Sequence, residues 1–307
     1  MSFTSKVKNE LLKQVMSETE KVAFLSGFMR NNASLENDTF VLDSENKELI
    51  NFLEELLASL GDIRYELNIT SGNNFTKKEL YILTITSKVS YLDDLIAFSS
   101  DTVPSYIVDG EGESKAYLRG VFISSGSMND PKSANYHMEL LINNDKEAVF
   151  VQKLLNQFNL NAKLLRRDKG FMIYLKEAEK ISDLLKILGA TTSVLYYENV
   201  RAYHDQKNLA NRLNNCEQAN MDRVISTAMD QLYYIDILKE NLAVELLNDK
   251  EKEALVYREK YKEASLKELS EIISLETGHK ITKSGLNHRF RKIKDLALKI
   301  KQEEKKK

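Results

Sequence analysis

Two nine-residue stretches of the chain share one pattern: residues 25–33 are LSGFMRNNA and residues 118–126 are LRGVFISSG. Both are expected at the end of a helix, and each has a glycine at its third position, Gly27 and Gly120. A glycine has no side chain, so two helix axes can approach closely at that point. Small neighbours assist the approach, namely Ser26, Ser124 and Ser125. The two stretches therefore predict a closely packed pair of helices; the alternative, a crowded helix–strand contact at each glycine, predicts no pairing.

Both stretches resemble the LAGLIDADG motif of homing endonucleases. In that family two such helices pack side by side, and each places a carboxylate at the eighth motif position to hold a divalent metal ion. The eighth positions of this chain are Asn32 and Ser125. An amide and a hydroxyl cannot hold Mg²⁺ as carboxylates do, because a hard dication prefers anionic oxygen. The resemblance implies a nuclease architecture without catalytic residues, without a metal site and without enzymatic activity.

The predicted order of elements around the first stretch repeats around the second. Each half, residues 1–100 and residues 112–190, is predicted to run α-β-β-α-β-β-α. Similar segments occupy matching places, FLEELL at residues 52–57 and FVQKLL at residues 150–155. A repeat of this kind constrains the fold strongly. We therefore expect an α+β, duplicated LAGLIDADG-like domain over residues 1–195.

Two local patterns predict how this domain begins. Apolar residues spaced for one helix face open the chain; they are Val7, Leu11, Leu12 and Val15. The tetrapeptide SETE at residues 17–20 then has the form of a capping box, in which Ser17 and Glu20 satisfy the first backbone N–H groups of a helix. The first motif helix is therefore predicted to start there.

The second part of the chain is predicted to be helical. Residues 196–220 are polar, rich in Asn, Arg and Lys, and lack a core face, so they predict a partly helical linker whose cations are solvated. Residues 221–307 predict an all-α domain. Its first helix has an apolar face formed by Met221, Val224, Ile225, Ala228, Leu232 and Ile235.

A helix-turn-helix pattern closes the chain. Ser265 is placed to cap a helix, the segment ETGHK at residues 276–280 interrupts it, and a second helix begins at Thr282. One stripe of that second helix is apolar: Leu286, Phe290, Ile293, Ala297 and Ile300. The remaining face is polar and basic: Lys283, Ser284, Asn287, His288, Arg291 and Lys294.

Charge and residue type make this second helix a candidate for contact with duplex DNA. Residues 279–307 contain 11 Lys/Arg against 3 Asp/Glu, although the whole chain has a net charge of −2. Segregated positive charge favours a polyanionic partner. Arginine can contact guanine edges, asparagine can contact adenine, and lysine and serine can hold phosphates. The alternative is a charged surface helix. A further candidate patch lies in the predicted turn with Arg166, Arg167 and Lys169.

Several classes of function are disfavoured. No apolar run approaches the roughly 18 residues of a membrane span, and the N-terminus lacks the apolar core of a signal peptide. The single cysteine, Cys216, fits a reducing cytosol. No P-loop, dinucleotide fingerprint or Ser-His-Asp grouping is present, and the four histidines lack partners at metal-ligand spacing. We expect no cofactor, no metal and no small-molecule substrate.

Several longer stretches resemble the WhiA family of Gram-positive regulators, and together they extend over nearly the whole chain. They are SFTSKVKNEL (2–11), AYLRGVFISSGSMNDPKSANYHMEL (116–140), NRLNNCEQAN (211–220), SLKEL (265–269) and ITKSGLNHRFRKI (281–293). The resemblance implies a degenerate homing-endonuclease domain joined to a helix-turn-helix similar to sigma-factor region 4. It also implies a cytoplasmic, nucleoid-associated transcription regulator that binds double-stranded DNA and contacts the transcription machinery. Its expected roles are sporulation in differentiating bacteria and cell division and chromosome segregation in others.

Two functions compete with this interpretation. A metal-dependent endonuclease needs an acidic residue at both motif ends, and the nearest acids, Glu36, Asp38 and Asp130, lie past the predicted helix ends. An interaction scaffold that has lost DNA binding would not need the basic final helix.

Overall fold

The structure, a computed structural model, describes residues 1–61, 63–71, 79–133 and 135–304. Contacts divide the chain into two units, Met1–Asp205 and Gln206–Lys307. The division falls inside the segment predicted as a linker, residues 196–220. Among the described residues, no helix combines the length and the apolar character that crossing a membrane requires.

The first unit contains the predicted duplication. After helix α1 (Phe3–Leu11), its first half comprises α2 (Glu18–Asn32), β1 (Ser34–Glu36), β2 (Thr39–Ser44), α3 (Lys47–Ser59), β3 (Tyr65–Ser71), β4 (Glu79–Ile85) and α4 (Val89–Ile96). Its second half comprises α5 (Glu111–Ser125), β5 (Gly126–Met128), β6 (Met138–Ile142), α6 (Asp145–Gln157), β7 (Lys163–Arg167), β8 (Gly170–Leu175) and α7 (Ala178–Leu188). Each half thus has the order α-β-β-α-β-β-α, and the predicted α+β fold is confirmed.

Each half builds a four-stranded antiparallel sheet with the same topology. The strand orders are β1-β2-β4-β3 and β5-β6-β8-β7. Alternate residues of β4, Tyr81, Leu83 and Ile85, are buried, as expected for a sheet with one face against a core. In β6, Met138, Leu140 and Ile142 repeat this alternation.

Helices α2 and α5 pack against each other through their glycines. A methyl group on Gly27 would lie 2.3 Å from the carbonyl oxygen of Tyr117, and one on Gly120 would lie 2.1 Å from that of Phe24. Backbone oxygens cannot move aside as a flexible side chain can. The two glycines therefore meet the opposite helix in a reciprocal contact that excludes any side chain.

The start of the first unit differs in part from the prediction. The capping box is present, because Ser17 Oγ accepts from the Glu20 N–H and the Glu20 carboxylate accepts from the Ser17 N–H. Helix α1, however, ends at Leu11, and Val15 is 97% exposed. The prediction that Val15 lies on a buried helix face is therefore wrong, because the helix ends before it reaches Val15.

The long helix α8, Thr191–Glu240, includes the boundary between the units. The segment predicted as a partly helical linker is helical throughout, and its residues 205–223 are exposed. Exposure on all sides explains why this stretch shows no core pattern. For the same reason the predicted apolar face of residues 221–235 is wrong at its start: Met221 is 62% exposed, whereas Ala228 and Ile235 are buried.

The second unit is helical, with a core of its own. A 3-10 turn (Val244–Leu246) precedes α9 (Asp249–Lys260), α10 (Leu266–Thr277) and α11 (Lys283–Glu304). Ser265 caps α10 in a capping box with Glu268, and Gly278 ends the helix at a φ of +74°. The apolar stripe of α11 packs inward, with Leu286, Phe290, Ile293 and Ala297 buried. The predicted helix-turn-helix is confirmed as α10 and α11.

Candidate nucleic-acid interface

Helix α11 presents one polar face to solvent. Of the six predicted contact residues, Asn287 is half-buried and the others are exposed: Lys283, Ser284, His288, Arg291 and Lys294. Within the described part of the chain, the side chains of Lys283 and Arg291 make no ion pair. Lys294 Nζ lies 5.3 Å from the centre of the Tyr234 ring, in a cation–π contact. The face therefore offers uncompensated cations beside short polar groups.

Other cations of α11 are held by carboxylates of α9. Arg289 Nη1 lies 2.6 Å from Glu253 and donates to the Lys250 carbonyl at 3.0 Å. Lys292 Nζ lies 3.7 Å from a carboxylate oxygen of Glu251. These ion pairs connect α11 to α9. The cations of α11 therefore form two groups: Arg289 and Lys292 pair with carboxylates of α9, whereas the cations of the polar face are exposed to solvent.

The second candidate patch lies at the turn between β7 and β8. Arg166, Arg167 and Lys169 are all exposed, as is Asp168 between them. The Arg167 guanidinium lies 3.8 Å from Glu139, a neighbouring residue of the same sheet. Nearby carboxylates thus offset part of the positive charge of this turn.

The ends of the two motif helices carry no carboxylate. Ser125 Oγ donates to the Val121 carbonyl at 2.9 Å, inside its own helix. Asn32 Oδ1 is buried and accepts no hydrogen bond from the described part of the chain. Among the described residues, no group of three or more His, Cys, Asp or Glu side chains is placed to hold a metal ion. The side chains at these two positions are therefore neutral, and that of Ser125 is engaged within its own helix.

A cleft of about 780 Å³ lies beside Asn32. Its wall includes Ser124 of the second motif, Asp43 of β2 and Lys8 of α1. Burial lowers the pKa of the Lys8 amine from 10.5 to about 8. Sequence reasoning missed Lys8, because only the folded chain brings α1 to the end of α2.

A buried ion pair joins the two halves near the motif helices. Arg30 Nε of α2 lies 2.8 Å from Glu147 of α6, and both side chains are at least 94% buried. The Tyr117 hydroxyl of α5 donates to the same carboxylate, and burial raises the pKa of this tyrosine. Arg30 Nη1 also donates to three carbonyls, those of Ala97, Phe98 and Ser100. The cluster connects elements from both halves through a buried ion pair and the hydrogen bonds around it.

A duplicated LAGLIDADG-like domain with neutral motif ends, followed by a helix-turn-helix domain, defines the class of this protein. Family models match it as the WhiA LAGLIDADG-like domain at residues 114–207 and the WhiA C-terminal HTH domain at residues 210–297. Proteins of Staphylococcus aureus strains JH9 and Newman, each named "Probable cell division protein WhiA", are 37% identical to it over 310 residues, which is 98% of each chain. The chain belongs to the WhiA family.

Solved structures agree on the fold. Full-length WhiA from Thermatoga maritima superposes with a TM-score of 0.60 at 22% identity, covering 97% of this chain and 99% of that one. The N-terminal LAGLIDADG domain of a WhiA protein superposes with a TM-score of 0.51 at 23% identity, covering 61% of this chain and 90% of that one. Both units of this chain are thus represented in the fold of a full-length relative.

Proposed function

We propose that this protein binds duplex DNA sequence-specifically through α11 and regulates transcription, without cutting the DNA. The observation that carries the proposal is the open polar face of α11, the second helix of the helix-turn-helix. In such motifs the second helix enters the major groove with its N-terminal residues toward the base edges. The face of α11 that is opposite the buried stripe is therefore the face that would meet DNA.

The residue types on that face suit distinct contacts. Arg291 is suited to donate to the two acceptors of a guanine edge, and Asn287 is suited to pair with adenine. Ser284 and His288 lie on the same exposed face and complete the base-facing set. Lys283 and Lys294, as flexible point charges, are assigned to phosphates. The patch of Arg166, Arg167 and Lys169 is assigned a secondary, sequence-independent contact.

The motif ends support binding without cleavage. A LAGLIDADG nuclease needs carboxylates that hold a metal ion, and Asn32 and Ser125 supply none. The competing function, a metal-dependent endonuclease, would need another acidic set at this place; among the described residues, no group of three or more His, Cys, Asp or Glu side chains is placed to hold a metal ion.

The cellular role rests on the family. Relatives named as cell division proteins support a role in cell division. We extend this to chromosome segregation, to a nucleoid-associated location in the cytoplasm, and to contact with the transcription machinery as a second partner beside DNA.

A genome-wide map of bound DNA, followed by binding and cleavage assays on a mapped site, tests the proposal. Supercoiled plasmid carrying that site should be bound and stay intact with Mg²⁺ or Mn²⁺. Metal-dependent cleavage that disappears on Asn32→Ala or Ser125→Ala would show a nuclease instead. Binding to all duplexes with equal affinity would remove the claim of sequence specificity.

A further inference from the structure

A small cleft in the second unit is walled by cations. Its volume is about 240 Å³, and four of its eight lining residues are basic: Arg223, Arg258, Lys267 and Lys283. The others are Val224, Thr227, Ser265 and Leu266. Among the residues that the structure describes, no carboxylate lines it. We call it the Arg258 cleft.

Arg258 is the unusual member of this wall because its side chain is buried. The residue is 1% exposed, and burial lowers the pKa of its guanidinium. Buried charges are ordinarily paired with an opposite charge. Within the described residues, however, no carboxylate lies at ion-pair distance from Arg258.

The hydrogen bonds of Arg258 explain its orientation but leave its charge open to a ligand. Its Nε donates to Gln231 at 2.9 Å, and its Nη1 donates to the carbonyl of Ala264 at 2.6 Å. Longer bonds from Nη1 reach the carbonyls of Tyr261 and Lys262. All of these acceptors are neutral, and Nη2 has no hydrogen bond within the described part of the chain. The guanidinium is held in place with one donor edge unused.

The start of α10 adds further donors to the same cleft. Ser265 caps this helix, and Leu266 and Lys267 form its first turn. The first backbone N–H groups of a helix have no intrahelical acceptor and attract anions. The carboxylate of Glu268 does not line the cleft; it accepts from the Ser265 N–H at 2.7 Å and closes the capping box of α10.

From these features we infer that the Arg258 cleft binds one backbone phosphate of duplex DNA. The inference rests on the proposed DNA binding by α11 and adds Arg223, Arg258 and Lys267 as phosphate-binding residues. The size favours a single phosphate, because sites for small organic ligands usually measure about 300–1,000 Å³. Lys283 points to DNA as the source of that phosphate, since it belongs both to the cleft wall and to the first turn of α11.

The phosphate would lie where the DNA backbone flanks the major groove. In a helix-turn-helix the first helix crosses the backbone while the second enters the groove. The cleft combines the start of α10 with the start of α11. A phosphate held here would set the register of α11 along the duplex, which contacts to base edges alone do not fix.

The test measures duplex binding by the full chain at several salt concentrations, on a mapped site and on an unrelated duplex. The variants are Arg223→Ala and Lys267→Ala, which remove exposed side chains and leave the buried core unchanged. Lys239→Ala is the matched control, because Lys239 lies on the same helix as Arg223 but pairs with Glu259 at 2.6 Å. Thermal unfolding in the presence of inorganic phosphate is measured in parallel on all four proteins.

We expect each cleft variant to bind both duplexes about fivefold more weakly at 0.15 M salt, with the salt slope reduced by about one. The control should match the parent. Inorganic phosphate should raise the unfolding temperature of the parent more than that of either cleft variant.

Three other outcomes overturn the inference in different ways. Cleft variants that bind DNA like the parent, without any effect of phosphate, would show that the cleft is structural, while recognition by α11 stands. Phosphate stabilisation that the variants lose, with unchanged DNA affinity, would identify a free anion as the ligand. A parent protein that binds no duplex would refute the proposed function itself.

Discussion

The motif ends of the first unit and the outer face of α11 in the second differ in where their polar groups point. Ser125 donates to its own helix, and the buried side-chain oxygen Oδ1 of Asn32 has no donor among the described residues. On α11, Lys283 and Arg291 are exposed and form no ion pair within the described residues. The packing of the two motif helices needs glycines and apolar residues, whereas a DNA-binding site needs charged side chains that are accessible to solvent. A fold can therefore keep the packing of this helix pair without the carboxylates that a nuclease places at the helix ends.

The largest effect should come from the buried pair of the first unit. Glu147→Gln leaves the buried Arg30 guanidinium without a counter-charge, and we expect a loss of about 3–5 kcal/mol in the free energy of unfolding. Urea unfolding of the full chain measures it. The matched control is Glu18→Gln, which removes a partner of Lys21 in a surface pair and should cost less than about 1 kcal/mol. Equal losses would mean that the buried pair contributes no more than a surface pair.

The packing of α2 against α5 provides the next test. Gly120→Leu must displace backbone atoms that now lie 2.1 Å from the position of a Cβ, so we expect a loss of about 1–3 kcal/mol or more. Gly285→Ala on α11 is the control, because the nearest atom to its Cβ is 3.4 Å away and alanine favours a helix by about 1 kcal/mol. Gly120→Leu should lower the thermal unfolding temperature of the protein, whereas Gly285→Ala should raise it. If Gly120→Leu unfolds at the same temperature as the parent, Gly120 is not required for the close packing of the two helices.

A smaller effect is expected at the cleft beside Asn32. The lowered pKa of Lys8, about 8 against 10.5, means that the folded state binds a proton less readily than the unfolded state. The resulting penalty is fully present below pH 8 and disappears as pH rises toward 10.5. Lys8→Met should therefore stabilise the protein by about 2 kcal/mol at pH 7, where the amine is charged in both states. Denaturant unfolding at pH 7 and pH 10 tests this; a gain that is equal at both would exclude the protonation penalty.

Sequence patterns predicted the fold where the determining contacts are local or repeated. The capping box at Ser17 and the apolar stripe of α11 depend on spacing within one element, and the pair Gly27 and Gly120 is predicted because one pattern occurs twice in the chain. The error at Val15 arose because periodicity does not show where a helix stops. The long α8 was missed in part, because an exposed helix needs no apolar face.

The candidate site could be predicted from the sequence only where a single helix carries its residues. The polar face of α11 follows from the period of its apolar stripe. The Arg258 cleft and the approach of Lys8 to Asn32 join residues from separate elements, and no spacing rule relates them. A buried arginine is also indistinguishable from a solvated one in a sequence, since only the fold sets its exposure.

The most direct test of the central claim compares base preference in variants of the two candidate surfaces. Equilibrium binding is measured on a mapped site and on the same site with single base-pair changes, for the parent, for Arg291→Ala, and for Arg166, Arg167 and Lys169 replaced together by alanine. Arg291→Ala should weaken the free energy of binding to the mapped site by about 1–3 kcal/mol and relax the preference at one base pair. The triple variant should keep the parent's preference at every position. A triple variant that loses preference, together with an Arg291→Ala variant that retains it, would place sequence recognition in the duplicated domain and contradict the account.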